Sequence, residues 1–364
     1  MKIKEITTCI EKLAPRELQE PYDNAGLIIG DAETEVSKAL VCIDVAEKVI
    51  DEAVTNKCNL IISHHPLIFK GLTQINNKSY IGRCVIKAIQ NNIAIYAAHT
   101  NLDSVIGGVN SKLCEKLGII NTRILKPKND VLKKLVTFCP TDNADVVRKA
   151  LFDSGCGHIG NYDSCSYNVD GSGTFRALAG ANPYVGEKDK LHHEPETRIE
   201  TIFPAYLEKQ VLKALFVAHP YEEVAYDIYP LENKYNRVGE GMIGELSKAM
   251  GAEEFLKHIK AVTNCKVIRH SELTVKSINK VAVCGGSGSF LVHEAIAAGA
   301  DMFITADMKY HQFSEAEGRI VIADIGHYES EQFVKEILVD YLNKNFPIFA
   351  ILVSREDNNP VYYY

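Results

Sequence analysis

His64 and His65 stand side by side at the end of an apolar run, in Ile61-Ile62-Ser63-His64-His65-Pro66. Two other segments offer matching groups, His99-Thr100-Asn101-Leu102-Asp103 and Gly326-His327-Tyr328-Glu329-Ser330-Glu331. Imidazole and carboxylate together suit zinc, iron or manganese better than calcium. Adjacent His residues on a strand point to opposite faces. Past the strand, at a turn before Pro66, both can converge and serve different ions of a pair. His327 and Glu331 open a helix at i and i+4, so they share one face and can reach one ion. Asp103 follows a strand and two polar residues, where a carboxylate can bridge two metals. Each group also has an ordinary reading: one buried His beside an exposed one, a surface i,i+4 pair, a turn residue or helix cap. Three His and two carboxylates, each beside a strand end, are hard to assign to unrelated structural jobs. The joint reading is a two-metal hydrolytic site, in which paired ions about 3.5–4 Å apart activate a bridging water and polarise a substrate. Its ligands are His64, His65, Asp103, His327 and Glu331.

Weaker candidates surround this set. His99 is expected near the metals as an acid–base or supporting group, not as a ligand. Asp307, Tyr310 and His311 follow an apolar run and are candidate substrate contacts. Gly285-Gly286-Ser287-Gly288-Ser289 follows a strand and precedes a helix, where free amides can bind an anion such as phosphate. Gly286, Ser287 and Gly288 are therefore expected to touch substrate. The loop is not a Walker motif, because no Gly-Lys-Ser/Thr follows, and Leu291 replaces the third glycine of the dinucleotide pattern.

These groups need elements to hold them. Helix and strand alternate over the first ~128 residues: helix 3–13, strand 39–43, helix 47–54, strand 59–62, helix 84–90, strand 93–97, helix 109–117. Alternation of this kind predicts a parallel-rich sheet with helices on both faces. From ~129 to ~234 the pattern changes to strand 132–138, helix 142–153 capped by Thr141 or Asp142, short strand signals over 155–180, strand 197–202, helix 205–217 and strand 223–229. The order β-α-β-β-α-β is ferredoxin-like. The expected organisation is one discontinuous α/β core domain, 1–128 and 235–364, with an inserted ferredoxin-like α+β domain, 129–234. A gapless internal repeat supports two related α/β halves: Lys38–Cys42 matches Lys280–Cys284, and Asn59–Ser63 matches Asp301–Thr305. A helix is expected from His327 to about Leu342.

Composition narrows the class. The chain has 364 residues, 46% hydrophobic and 24% charged, with net charge -7. No basic run stands out, which argues against a dedicated nucleic-acid surface. No segment approaches the ~20 apolar residues of a membrane helix, and the N-terminus does not read as a signal peptide. The ten Cys form no CxxC. A reduced cytoplasmic protein with buried thiols is expected.

The chain resembles the Nif-three-like family, also called the GTP cyclohydrolase I type 2 family, along essentially its whole length. Tyr22-Asp23-Asn24-Ala25-Gly26-Leu27, Ser63-His64-His65-Pro66, His99-Thr100-Asn101-Leu102-Asp103 and Gly326-His327 with Ser330-Glu331 carry the resemblance. It implies two divalent ions per chain, often zinc with iron or manganese as alternatives, held by His64, His65, Asp103, His327 and Glu331. It also implies a toroidal homohexamer whose metal sites face an internal cavity. The segment 129–234, with His219-Pro220-Tyr221-Glu222-Glu223, is similar to the CutA-like and PII-like insert of longer bacterial members, suited to trimer contacts. Thr305-Ala306-Asp307 departs from the family's usual Thr-Gly-Asp. The function implied is metal-dependent hydrolysis of a small anionic or nucleotide substrate, in its most specific form GTP ring opening with formate release. Alternatives are a di-metal phosphoesterase acting on nucleotides, and a metal-binding regulatory or interaction protein with little turnover.

Overall fold

Strands that are apolar on both faces need cover on both sides, and the core of this protein is built on such strands. The computed structural model describes residues 1–356 and 359–364. The chain divides into two compact units, Met1–Pro127 with Asn236–Tyr364, and Lys128–Tyr235.

The first unit has a five-stranded sheet in the order Gly26–Ile29, Ala94–Ala97, Leu60–Ser63, Lys38–Cys42, Ala350–Val353. Only the Gly26–Ile29 pairing is antiparallel. Leu40, Cys42, Ile61 and Ile95 pack against helices Glu47–Thr55 and Tyr80–Gln90 through Val49, Ile50, Ala53, Cys84, Val85 and Ala88. Ser79 caps the second of these helices, accepting the Gly82 amide, which satisfies one orphan donor of its first turn.

The same unit has a six-stranded sheet in the order Arg269–His270, Val321–Asp324, Met302–Ala306, Ser277–Ser287, Tyr235–Gly251, Ile119–Lys128. Its central strands are parallel. The repeat read from the sequence reappears in the pairing. Leu40 pairs with Ile61 and Val41 with Ile62; at the same offset Ala282 pairs with Phe303 and Val283 with Ile304. Neighbouring parallel strands leave their carboxyl ends on one edge. His64 and His99 therefore follow adjacent strands of one sheet, and Asp307 and His327 adjacent strands of the other.

The second unit is a four-stranded antiparallel sheet, Tyr167–Arg176, Leu191–Pro204, Leu132–Pro140, Tyr226–Pro230. Helices Ala144–Asp153 and Glu208–Ala218 bury Val147, Leu151, Val211 and Leu215 against Leu135, Cys139, Ile199 and Phe203. The ten-residue strand Tyr167–Arg176 is longer than its sequence suggests, because Asp170, Gly171, Ser172 and Gly173 have low strand propensity. Full-length pairing with Leu191–Glu200 compensates.

Two local expectations are corrected. Thr141 and Asp142 lie in a 3-10 turn, and the α-helix starts at Ala144 with no side-chain cap from Asn143. The helix opened by His327 stops at Glu331, and a second one runs Val334–Asn345. At the break, the Gln332 amide donates to the Thr263 and Glu329 carbonyls, and Phe333 packs on the core. Among the described residues no helix is long and apolar enough to cross a membrane.

Candidate metal centre

The strand Leu60–Ser63 delivers His64 and His65 at its carboxyl end, and the turn before Pro66 lets both converge. Their rings lie 5.0 Å apart, centre to centre. The helix His327–Glu331 brings its two groups to the same place from the other sheet. Glu331, almost fully buried, is the centrepiece. Its Oε2 stands 3.0 Å from His65 Nε2 and 3.1 Å from His327 Nε2, and its Oε1 stands 3.8 Å from His64 Nε2. His65 Nε2 and His327 Nε2 are 3.4 Å apart. Asp103 Oδ1 is 3.6 Å from His64 Nε2. The five residues named from the sequence thus stand together, and the carboxylate with an oxygen near each of the three imidazoles is Glu331. The short helix Thr100–Asp103 carries Asp103 to the His64 edge of the cluster.

These atoms fit divalent ions on two grounds. His64 Nε2 and Asp103 Oδ1 are buried and have no hydrogen-bond partner among the described residues, and buried polar groups of that kind are rare without a purpose. The donor atoms of His64, His65 and Glu331 all lie within 4.8 Å of one another. Nitrogen and oxygen donors at roughly 2.0–2.2 Å from a tetrahedral ion are separated by distances of this order.

Burial and neighbouring charges shift the titration of these groups in opposite directions. Burial pushes His65 down, but hydrogen bonds to Asp44 and Glu331 outweigh it and raise His65 to about 10. Burial likewise opposes the charge on His327, and bonds to Asp307 and Glu331 raise it to about 11. Burial pushes Glu331 up, yet bonds from His327 and His65 and the proximity of His64 hold it well below the usual carboxylate range. Asp103 goes the other way: burial lifts it to about 7, against the pull of the His64 charge.

Each imidazole is fixed from behind. His65 Nδ1 meets Asp44 Oδ1 at 2.9 Å, His327 Nδ1 meets Asp307 Oδ2 at 2.7 Å, and His64 Nδ1 meets the Ala98 carbonyl at 2.8 Å. Nδ1 bonded in this way leaves Nε2 to face a ligand and sets the ring's orientation. Asp307 therefore backs His327, and it holds left-handed backbone at φ 56° to do so. His99 sits 5.3 Å from the His64 ring and 5.4 Å from His65. Its Nδ1 meets Asp23 Oδ1 at 2.7 Å. Asp23 also accepts the Thr100 amide and hydroxyl. Burial raises Asp23, but these bonds and the His99 charge outweigh it and bring it to about 2.

A cavity of about 470 Å³ opens beside the cluster, walled by Tyr22, Phe69 and Phe290, with His65, His99 and Glu331 at its base. Carboxylates of Glu20, Asp44, Asp103, Glu240 and Glu331 line it, and no Lys or Arg is among its lining residues. Ser287 lines it too. The glycine-loop amides are not free for an anion: Gly285 donates to Asn110, Gly286 to Ser330 and Gly288 to Thr305. The loop is a structural turn packed under Glu331. Tyr310 and His311 are exposed, meet edge to face at 5.0 Å, and line no part of the cavity. Ala306, the departure from the family pattern, is a buried strand residue paired with Ser287. Asp44 was missed from the sequence, although it follows the strand Lys38–Cys42 as His64 follows the next one. The aromatic walls carried no sequence signal.

The model of the family Duf34/NIF3 (NGG1p interacting factor 3) matches residues 1–360. The chain belongs to this family. A Bacillus subtilis relative named GTP cyclohydrolase 1 type 2 homolog is 39% identical over 364 residues, 98% of this chain and 97% of the relative. A Halalkalibacterium halodurans protein of the same name is 39% identical over 350 residues, 94% of each chain. Among solved structures, a Bacillus cereus protein related to NIF3 is 40% identical with TM-score 0.87, over 100% of this chain and 99% of that one. A Staphylococcus aureus protein is 30% identical with TM-score 0.78 over the same shares.

Proposed function

We propose that this Duf34/NIF3 protein is a metal-dependent hydrolase with two divalent ions, zinc above iron or manganese, and that GTP ring opening is its most specific activity. The observation that carries the reading is Glu331, which offers one oxygen to His65 and His327 and the other to His64. In this reading His64, His65, Asp103, His327 and Glu331 would hold the two ions. Bound ions supply Lewis acidity, lowering the pKa of water and polarising the substrate. The protein's own groups do the rest. Asp44 and Asp307 keep the Nε2 atoms of His65 and His327 aimed inward. Asp23 holds His99 by Nδ1, leaving Nε2 to take and return a proton at the cavity floor. Tyr22, Phe69 and Phe290 give flat apolar walls that suit a purine ring. Because no Lys or Arg lines the cavity, the negative groups of a nucleotide depend on the ions for charge balance.

The proposal extends to the assembly: a cytoplasmic homohexamer, with the ferredoxin-like insert making trimer contacts. All ten cysteines are free thiols, nine of them buried, which suits a reducing compartment. The test is formate release from GTP by protein loaded with zinc, manganese or iron, beside a His65→Ala, His327→Ala double variant. Metal-dependent formate that the variant loses supports the reading. Confirmed metal occupancy with no formate would remove GTP ring opening, and release of phosphate or nucleoside instead would move the assignment to phosphoester hydrolysis.

A further inference from the structure

The second unit contains a cavity of its own, about 610 Å³ in volume, inside the range of small-molecule sites. The pleat explains why it is there. Gly171 pairs with Glu196, and Glu196 pairs with Pro140, so a row across the sheet carries one long side chain between two short residues. Gly173 continues the bare strip, and a Cβ at Gly173 would strike the Glu196 carboxylate. The missing side chains leave a floor over which Glu196 lies.

Aromatic rings form the walls. Phe175 lies 6.1 Å and Tyr184 lies 6.2 Å from the Tyr221 ring, centre to centre, and Phe138 closes the far side. Tyr221 is anchored from both ends. Its hydroxyl donates to Glu196 Oε1 at 2.8 Å, and its amide donates to His219 Nδ1 at 3.1 Å. His219, buried, donates from Nε2 to the Phe138 carbonyl at 2.9 Å. The two loops over the cavity are tied to each other, because the Asn182 amide donates to Glu222 Oε1 at 2.6 Å. Arg198, the cation at the rim, is engaged by Glu200 at 2.8 Å and lies over the Phe138 ring. The second oxygen of Glu196 lies over Gly173, on the floor of the cavity that the aromatic rings line.

A carboxylate set among ring faces attracts a positive charge twice, by Coulomb attraction and by the ring quadrupoles. We propose that this cavity binds a small organic cation, an ammonium or amidinium group carried on a flat or apolar body, with Glu196 as the counter-ion and Phe175, Tyr184 and Tyr221 as the box. The site lies wholly within 138–225 and is independent of the metal centre in the other unit.

A charge series on one ring tests it. Benzamidinium, benzamide and benzoate are titrated calorimetrically into the full-length, metal-loaded protein and into Glu196→Gln. Glutamine keeps an acceptor for the Tyr221 hydroxyl, so the variant is expected to unfold at the same temperature. Expected is benzamidinium binding about tenfold or more tighter than benzamide, with no saturation by benzoate, and a preference that disappears in Glu196→Gln. Equal affinity for benzamidinium and benzamide, preference for benzoate, an unchanged benzamidinium affinity in the variant, or no saturation by any of the three would overturn the proposal.

Discussion

Substituting Gly286 by alanine should separate backbone strain from damage to the metal centre. Gly286 has φ +60°, in the left-handed region, and a Cβ there would strike Glu331 Oε1. Gly118 has φ +72° with nothing within 4 Å of its would-be Cβ. Both Gly286→Ala and Gly118→Ala place an L side chain in left-handed backbone, at roughly 1–2 kcal/mol each. In a chain of this size that lowers the melting temperature by roughly 1–2 °C per kcal/mol. Only Gly286→Ala moves a ligand atom. To restore an ordinary contact the Glu331 oxygen must retreat by roughly 1 Å, and it cannot do so freely, because its carboxylate is buried and bonded to His65 and His327. Loss of ligand geometry of this kind should cost about 10–100-fold in metal affinity. The assay is zinc competition against a chelator, with thermal unfolding of the metal-free forms alongside. Gly118→Ala should lose stability and keep wild-type affinity, and Gly286→Ala should lose both. If the two variants bind zinc equally well, Glu331 is not a ligand and the centre has been misread.

Further outcomes follow from the same geometry. In metal-free protein His65 and His327 are raised to about 10 and about 11, so the folded state holds protons the unfolded state has lost above about pH 6.5. Their contribution is complete below that pH and disappears as pH rises through 10 to 11. Melting temperature should therefore fall across this window with a chelator present and stay flatter with zinc bound; parallel curves would refute it. Asp44→Asn should weaken metal binding about 10–100-fold with secondary structure unchanged, read by competition titration and circular dichroism. Asp23→Asn should leave metal content intact but lower turnover and shift its pH profile, because His99 loses the carboxylate charge beside its Nδ1; an unchanged profile would remove His99 from proton transfer. Phe303→Ala empties a fully buried position and should cost about 3–5 kcal/mol, measured by denaturant unfolding.

Much of the core was legible because its signals are local. Buried strands such as Lys38–Cys42 and Leu60–Ser63 declare themselves by unbroken apolar runs, and the repeat pointed to two related halves, whose sheets share a pairing offset. Family membership followed from short motifs whose residue types are chemically unusual together. Signals that depend on partners were weaker. The strand Tyr167–Arg176 shows only short strand signals in its sequence, and its full length depends on ten residues of a neighbour that pair with it; the helix break at Gln332 depends on the distant Thr263 carbonyl.

The sequence by itself determined which residues stand at strand ends, because hydrophobic period and the following polar turn are properties of consecutive positions. It thereby marked His64, His65, His99, Asp103, His327 and Glu331 as groups presented together. Only the tertiary structure decided their division of labour. Glu331 spans the imidazoles because a helix from one sheet meets a strand end from the other. Asp44, Asp23 and Asp307 each back a particular ring, and the glycine loop spends its amides on Asn110, Ser330 and Thr305. Those roles depend on distances between residues as many as 266 positions apart, and local pattern carries no information about such distances.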